Sequence, residues 1–151
     1  MKLQDFDFRI WSVKKEKYLD ELYSNIISLS SDKSIKGYNR NYKILAIEFS
    51  PYDSIPLMND NEECFEIELF TGLYDKNGNK IYEGDILYYF KDCSEGEVFK
   101  YQVLFKEGAF YLFESYDGFV DDEDLIAEFD LKELQVMGNI HENKELLNVR
   151  L

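Results

Sequence analysis

The chain has 151 residues, 45% apolar and 17% aromatic, with a formal net charge of −14. That length suits one domain or two small lobes, and the apolar share is enough to bury a core. So acidic a surface repels phosphate, which disfavours direct nucleic-acid binding. The charge is unevenly placed: residues 1–60 hold nine acids and nine bases, whereas residues 61–151 hold twenty-two acids and eight bases, which accounts for the whole −14. No apolar run approaches the roughly 20 residues of a membrane span. Charges at Lys2, Asp5 and Asp7 interrupt what would be the apolar part of a secretory leader. Cys64 and Cys93 stand alone, without Cys-x-x-Cys spacing, as in a reduced compartment. The expectation is a cytoplasmic protein.

Residues 4–12 read as a first strand, with Phe6, Phe8 and Ile10 facing a core and Arg9 and Trp11 sharing the other face. There the Arg9 guanidinium can lie over the Trp11 indole as a surface pair. Tyr18, Leu19, Leu22, Tyr23, Ile26 and Ile27 fall at helical spacing, which predicts an amphipathic helix over 17–28. Lys14, Lys15 and Lys17 read as a solvated face. A strand is predicted over 42–49. Residues 50–63, holding Pro51 and Pro56, read as a loop and as the boundary between a lobe at 1–60 and a second domain at 61–151. A strand over 64–70 follows, with Phe65, Ile67 and Leu69 inward and Glu66 and Glu68 outward.

The densest turn chemistry lies at 70–87. Asn77-Gly78 suits the positive φ values of a hairpin turn, and Asp75 can accept a hydrogen bond from an amide two residues on. Thr71, Gly72 and Tyr82 lie in the flanking strand ends. Glu83-Gly84-Asp85 forms a second turn and feeds a short buried strand over 86–90. Beyond a polar turn at 92–96, Phe99, Tyr101, Val103 and Phe105 mark another strand, and Glu107-Gly108 turns it into 109–113. A turn at 116–118 precedes the acidic run Asp121–Asp124, read as a solvated loop. A strand over 135–137, then Gly138-Asn139 and a helical turn at 142–147, closes the chain. Strands recurring every eight to twelve residues suggest a small barrel or sandwich. The expected fold is mainly β (α+β): a C-terminal SH3-like barrel with an N-terminal strand/helix lobe.

Residues 70–87 resemble the signature of the YopX family of phage and prophage proteins, roughly aromatic-TGL-x-D-x-NG-x-x-IYEGD-aliphatic. Phe8-Arg9-Ile10-Trp11 resembles that family's opening Phe-Arg-x-Trp. Residues 136–147 resemble its closing segment, with Lys144 where the family commonly has proline. The resemblance implies a phage or prophage setting and marks Arg9, Trp11, Thr71, Gly72, Asp75, Asn77, Gly78, Tyr82, Glu83, Gly84, Asp85, Gly138 and Asn139 as motif residues, structural or interacting. It implies no particular reaction.

The residues offer little chemistry. His141 is the one histidine; without a nucleophile signature beside it, it reads as a surface or helix-start residue. The scattered His and Cys residues do not make a zinc set. The run Asp121–Asp124 lacks the spacing of an EF-hand loop. No phosphate loop is present, and no cofactor or metal is expected. Glu83 and Asp85 are candidate paired carboxylates, although spacing alone does not place them over a substrate. Three functions stay open. One is a non-enzymatic protein-interaction module, binding a host or phage protein or self-associating as a homo-oligomer. The second is an acidic DNA mimic or nucleic-acid-associated regulator. The third is a carboxylate-based hydrolase.

Overall fold

The structure, a computed structural model, describes residues 2–13, 16–18, 26–30, 44–50, 53–57, 65–90, 98–116 and 119–147. It is mainly β. Helical structure among these residues is confined to 3-10 turns at Leu3–Asp5, Ile126–Glu128 and Lys144–Leu147. The chain forms two compact units, one of Met1–Arg9 with Ile67–Leu151 and the other of Ile10–Glu66. The first nine residues therefore belong with the second half of the chain.

In the larger unit a five-stranded antiparallel sheet has the order β11-β10-β9-β8-β12. Its strands are β8 (Asp85–Tyr89), β9 (Phe99–Lys106), β10 (Ala109–Tyr116), β11 (Phe119–Leu125) and β12 (Leu134–Asn139). β8 is buried along nearly its whole length, as its aromatic, turn-bounded sequence predicts. Glu107 (φ 52°) and Gly108 (φ 82°) form the tight turn joining β9 to β10. Ile81, Leu87, Tyr101, Val103, Leu112, Ile126 and Leu134 form the core cluster, each at most 5% exposed. Alternation puts Leu87, Tyr101, Val103 and Leu112 on one face of this sheet. The acidic run is not a loop: Asp121–Asp124 lies within β11, an edge strand, where charge discourages pairing with another chain.

The same unit holds a hairpin of β6 (Phe65–Tyr74) and β7 (Lys80–Tyr82), with the Asn77-Gly78 turn where the sequence predicts it. Gly72, at φ +83°, sits in the register shift between Phe70 and Tyr74. Thr71 Oγ1 accepts a hydrogen bond from Leu73 N (3.1 Å) and donates to Ile81 O (2.8 Å), holding that irregularity. The start of β1 (Phe8–Ser12) lies beside β6, where Phe70 N donates to Asp7 O at 3.0 Å. Phe6, expected inward, is 46% exposed.

The smaller unit corrects two expectations. Lys17–Tyr18 (β2) and Ile26–Ser30 (β3) are strands, so the predicted helix over 17–28 does not form at either end; 19–25 lies outside the described residues. Here cross-strand pairing outweighs helical periodicity. Trp11 pairs with Tyr18 across β1 and β2, the rings edge-on at 4.9 Å. The predicted loop over 50–63 contains β5 (Asp53–Leu57), which pairs with β4 (Ile44–Ser50) in a sheet of order β3-β4-β5. Pro56 is tolerated because β5 is an edge strand. Lys14, Lys15, Cys64, Cys93 and the predicted turns at 92–96 and 117–118 lie outside the described residues.

Candidate functional site

Arg9, Tyr82, Glu83, Gly84 and Asp85 gather around one buried charged cluster, with the Gly138-Asn139 turn beside it, whereas Thr71, Gly72, Asp75, Asn77 and Gly78 shape the β6–β7 hairpin. The centre of the cluster is Glu68, 4% exposed, a residue the alternation of β6 places outward. Arg9 Nε donates to Glu68 Oε2 at 2.5 Å, and Arg9 Nη2 lies 2.7 Å from Asp85 Oδ1. Nη2 also donates to the Glu83 carbonyl at 3.2 Å. The guanidinium stands 4.9 Å from the centre of the Tyr82 ring. His141 Nε2 meets the other Glu68 oxygen at 2.8 Å. One guanidinium thus bridges two carboxylates, and an imidazole holds the far side of one of them. Burying two carboxylates costs several kcal/mol each unless close charges and hydrogen bonds offset it, and here both supply that compensation.

Each partner is set in place by local turn chemistry. Tyr82 N donates to Asp85 Oδ2 at 2.8 Å, closing the Glu83-Gly84 turn on its own carboxylate. Gly84 N donates to Val103 O, and Ile140 N donates to Gly84 O, both at 2.9 Å, which fixes that turn between β9 and the C-terminal segment. Gly84 has φ +79°, and a Cβ there would lie 2.7 Å from Glu68 Oε1. Only glycine allows both the backbone conformation and the approach. Asn139 Oδ1 accepts from His141 N and Glu142 N, each at 3.0 Å, and Asn139 Nδ2 donates to Glu142 Oε2 at 2.9 Å. This turn carries His141 to Glu68. Gly138 is required because a Cβ there would collide with the Asn143 side chain.

Asp85 is 1% exposed. Burial pushes its carboxyl up to about 6 against the opposing pull of Arg9 and the Tyr82 amide, and the Glu68 charge adds to the rise. Asp75 behaves oppositely. Its burial would raise the carboxyl, but hydrogen bonds from Val136 N, Asn79 N, Asn79 Nδ2 and Asn77 N outweigh this and hold it below the usual range. Asp75 therefore both shapes the Asn77-Gly78 turn and fastens it to β12.

The remaining motif residues fall elsewhere. Trp11, expected at the surface, is buried at 6% exposure, with its ring against Tyr18, and belongs to the smaller unit. Glu83 contributes its backbone carbonyl to Arg9. His141, expected at the surface, has a side chain only 13% exposed. Glu68 was missed because alternation registers polarity but not a charge partner 59 positions away; the signal within reach was the pairing of Arg9 and the single histidine inside the two terminal motifs. Among the described residues no three His, Cys, Asp or Glu side chains are grouped to hold a metal ion. None of their helices is long and apolar enough to cross a membrane.

The family model described as YopX protein matches residues 7–148. The chain belongs to the YopX family. Protein EF1440 from Enterococcus faecalis, known from a crystal structure, is 28% identical, with a TM-score of 0.54 over 94% of this chain and 97% of that one. Protein yopX from Bacillus subtilis is 17% identical, with a TM-score of 0.60 over 95% of this chain and 97% of that one, a likeness of fold. No curated protein matches. In this YopX-family chain the opening, central and closing motifs are three sides of one cluster: Arg9 from the first, Glu83-Gly84-Asp85 from the second, and the turn carrying His141 from the third.

Proposed function

We propose that this YopX-family chain is a non-enzymatic protein-interaction module, an accessory protein of phage or prophage origin acting in the bacterial cytoplasm, with an SH3-like barrel as its larger unit. The observation that supports this reading best is the closure of the charged cluster. Glu68 and Asp85 are 4% and 1% exposed, and both face Arg9. A general acid or base must come within hydrogen-bond reach of its substrate, and here a substrate would have to displace the guanidinium. The hydrolase reading needs Glu83 and Asp85 to converge on an opening, whereas Asp85 is enclosed and Glu83 presents its carbonyl. The cluster serves as scaffold, and the contact surface is carried by exposed aromatics such as Tyr74, 49% exposed and stacked edge-on against Phe70 at 5.5 Å. Aromatic side chains of this kind are enriched in interface cores.

The test is affinity capture from host lysate with the full chain, at low and high salt, alongside Tyr74→Ser. A partner held at both salt concentrations and lost in the variant supports the reading. Equal retention by the variant contradicts the assigned surface. The placement of the whole −14 in residues 61–151 favours, as a second reading, an acidic mimic that occupies a basic protein's DNA site; its partner would be released by salt. Retardation of DNA by the purified chain would refute that reading. Mass measurement in solution on the same sample tests whether the chain self-associates as a homo-oligomer.

A further inference from the structure

An asparagine followed by glycine is prone to lose its side-chain amide nitrogen spontaneously, because glycine has no side chain to hinder attack by its own amide nitrogen. At Asn77-Gly78 the step balances without a catalyst. Gly78 N gives up its proton and bonds to Asn77 Cγ; the bond from Cγ to Nδ2 breaks, and ammonia leaves with that proton. Water then opens the succinimide ring at either carbonyl, leaving aspartate or isoaspartate at 77. Both residues are exposed, and nothing lies within 4 Å of where a Cβ on Gly78 would stand, so water reaches the turn. Yet the attacking atom is occupied: Gly78 N donates to Asp75 O at 3.0 Å. Asp75 also holds the backbone on either side, its Oδ1 accepting from Asn77 N at 2.9 Å and from Asn79 N at 2.8 Å. We propose that Asn77 is a latent deamidation site, and that Asp75 keeps it unreacted by holding the turn with both its carbonyl and its carboxylate.

Ring closure requires the peptide plane between Asn77 and Gly78 to rotate until Gly78 N faces the Asn77 side chain. That rotation breaks the bond to Asp75 O and pulls the backbone on which Asn77 N and Asn79 N are held. The clamp does not simply move with the turn, because it is anchored elsewhere. Asp75 is 6% exposed, and its Oδ2 accepts from Asn79 Nδ2 at 3.1 Å and from Val136 N of β12 at 3.0 Å. Lys76 N donates to Leu134 O of the same strand at 2.9 Å. Reaction therefore waits on a local opening that gives up the Gly78 hydrogen bond, and each such bond slows it about tenfold. The product is not neutral for the fold. Either form adds a carboxylate two residues from Asp75, and isoaspartate also lengthens the main chain by a methylene within the turn. Both oppose the bonds through which Asp75 and Lys76 hold β12, so deamidation releases the hairpin tip from that strand. This holds whether or not the chain binds a partner.

The experiment incubates the full chain at neutral pH, in native buffer and in denaturing urea at the same temperature. Aspartate and isoaspartate at position 77 are then quantified by proteolysis, chromatography and mass spectrometry. Amide hydrogen exchange by NMR gives the protection of the Gly78 amide in native buffer. The expected result is deamidation at least about tenfold slower in native buffer than in urea, with a Gly78 protection factor of the same order. In Asp75→Ala, shown to be folded by circular dichroism, the native rate should rise about tenfold towards the rate in urea. Equal wild-type rates in the two solvents overturn the proposal, as does an Asn77 that stays intact in urea. A Gly78 amide that exchanges freely while the reaction stays slow overturns it too, and so does a folded Asp75→Ala that keeps the wild-type rate. If the variant does not fold, the wild-type measurements decide the matter, because the Gly78 amide has Asp75 O as its partner.

Discussion

Gly84→Ala probes how firmly Glu68 is held. Two penalties are expected. Alanine at φ +79° costs about 1–2 kcal/mol, the usual penalty for an L-residue in the left-handed region. The new Cβ would also stand 2.7 Å from Glu68 Oε1, the atom that meets His141, while the other oxygen holds Arg9. A flexible glutamate would swing aside at little cost; this one is fixed at both oxygens. Displacing it loses at least one charge-assisted hydrogen bond, worth about 1.5–3 kcal/mol. The expected loss is about 2.5–5 kcal/mol. Gly78→Ala is the internal control, because φ is +82° there and nothing lies within 4 Å of the added carbon; its loss should be about 1–2 kcal/mol. Urea unfolding followed by circular dichroism gives both values. In a Glu68→Ala background the added cost of Gly84→Ala should fall to that of Gly78→Ala. Equal costs at the two glycines in the wild-type background would refute the claim that Glu68 is immobile.

Asp75→Ala removes the acceptor of four hydrogen bonds, three within the hairpin turn and one joining it to β12; urea unfolding should show a loss of about 2–4 kcal/mol, against less than about 1 kcal/mol for Asn77→Ala. Lys106→Ala deletes an exposed ion pair between the end of β9 and Glu123 of β11, and its unfolding midpoint should barely move, since solvent-exposed pairs contribute little to stability. The pH profile of stability should rise and then fall on acidification. Asp85 is raised, so its contribution is complete below 3.8 and is lost as pH climbs through about 6. Asp7 and Asp75 are lowered, so theirs is present above 3.8 and is lost as pH falls towards their folded values. Unfolding measured across this range should show Asp85→Asn flattening the upper slope and Asp75→Asn the lower one.

The parts of the fold legible in the sequence are those set by neighbouring residues. Asn77-Gly78 and Glu107-Gly108 declare turns because positive φ restricts the residue types, and the structure has a turn at each. Residues 86–90 declare a buried strand by being aromatic and bounded by turns, and β8 runs Asp85–Tyr89. Where long-range pairing decides, local patterns mislead. The spacing of Tyr18, Ile26 and Ile27 fits a helix, yet Tyr18 is claimed by Trp11 across a strand pair. Pro56 suggests a loop, but an edge strand has no need of its missing N–H. Asp121–Asp124 suggests solvent, and an edge strand presents one side to it. The cluster was half legible. Arg9, Asp85 and Asn139 stand out in motifs, while Glu68 hides in an ordinary alternation because its burial depends on partners 59 and 73 positions away.

The central claim is that Arg9 and Glu68 form the buried ionic link joining the opening motif to the rest of the larger unit. A double-mutant cycle with Arg9→Met, Glu68→Leu and the pair, measured by urea unfolding, tests it most directly. Arg9→Met strands Glu68 and Asp85 together and should lose about 3–5 kcal/mol; Glu68→Leu leaves Arg9 its pair with Asp85 and should lose less, and the double variant should lose less than the sum of the two. The predicted coupling is at least about 2 kcal/mol; a coupling within about 0.5 kcal/mol of zero, as for independent sites, would contradict the account.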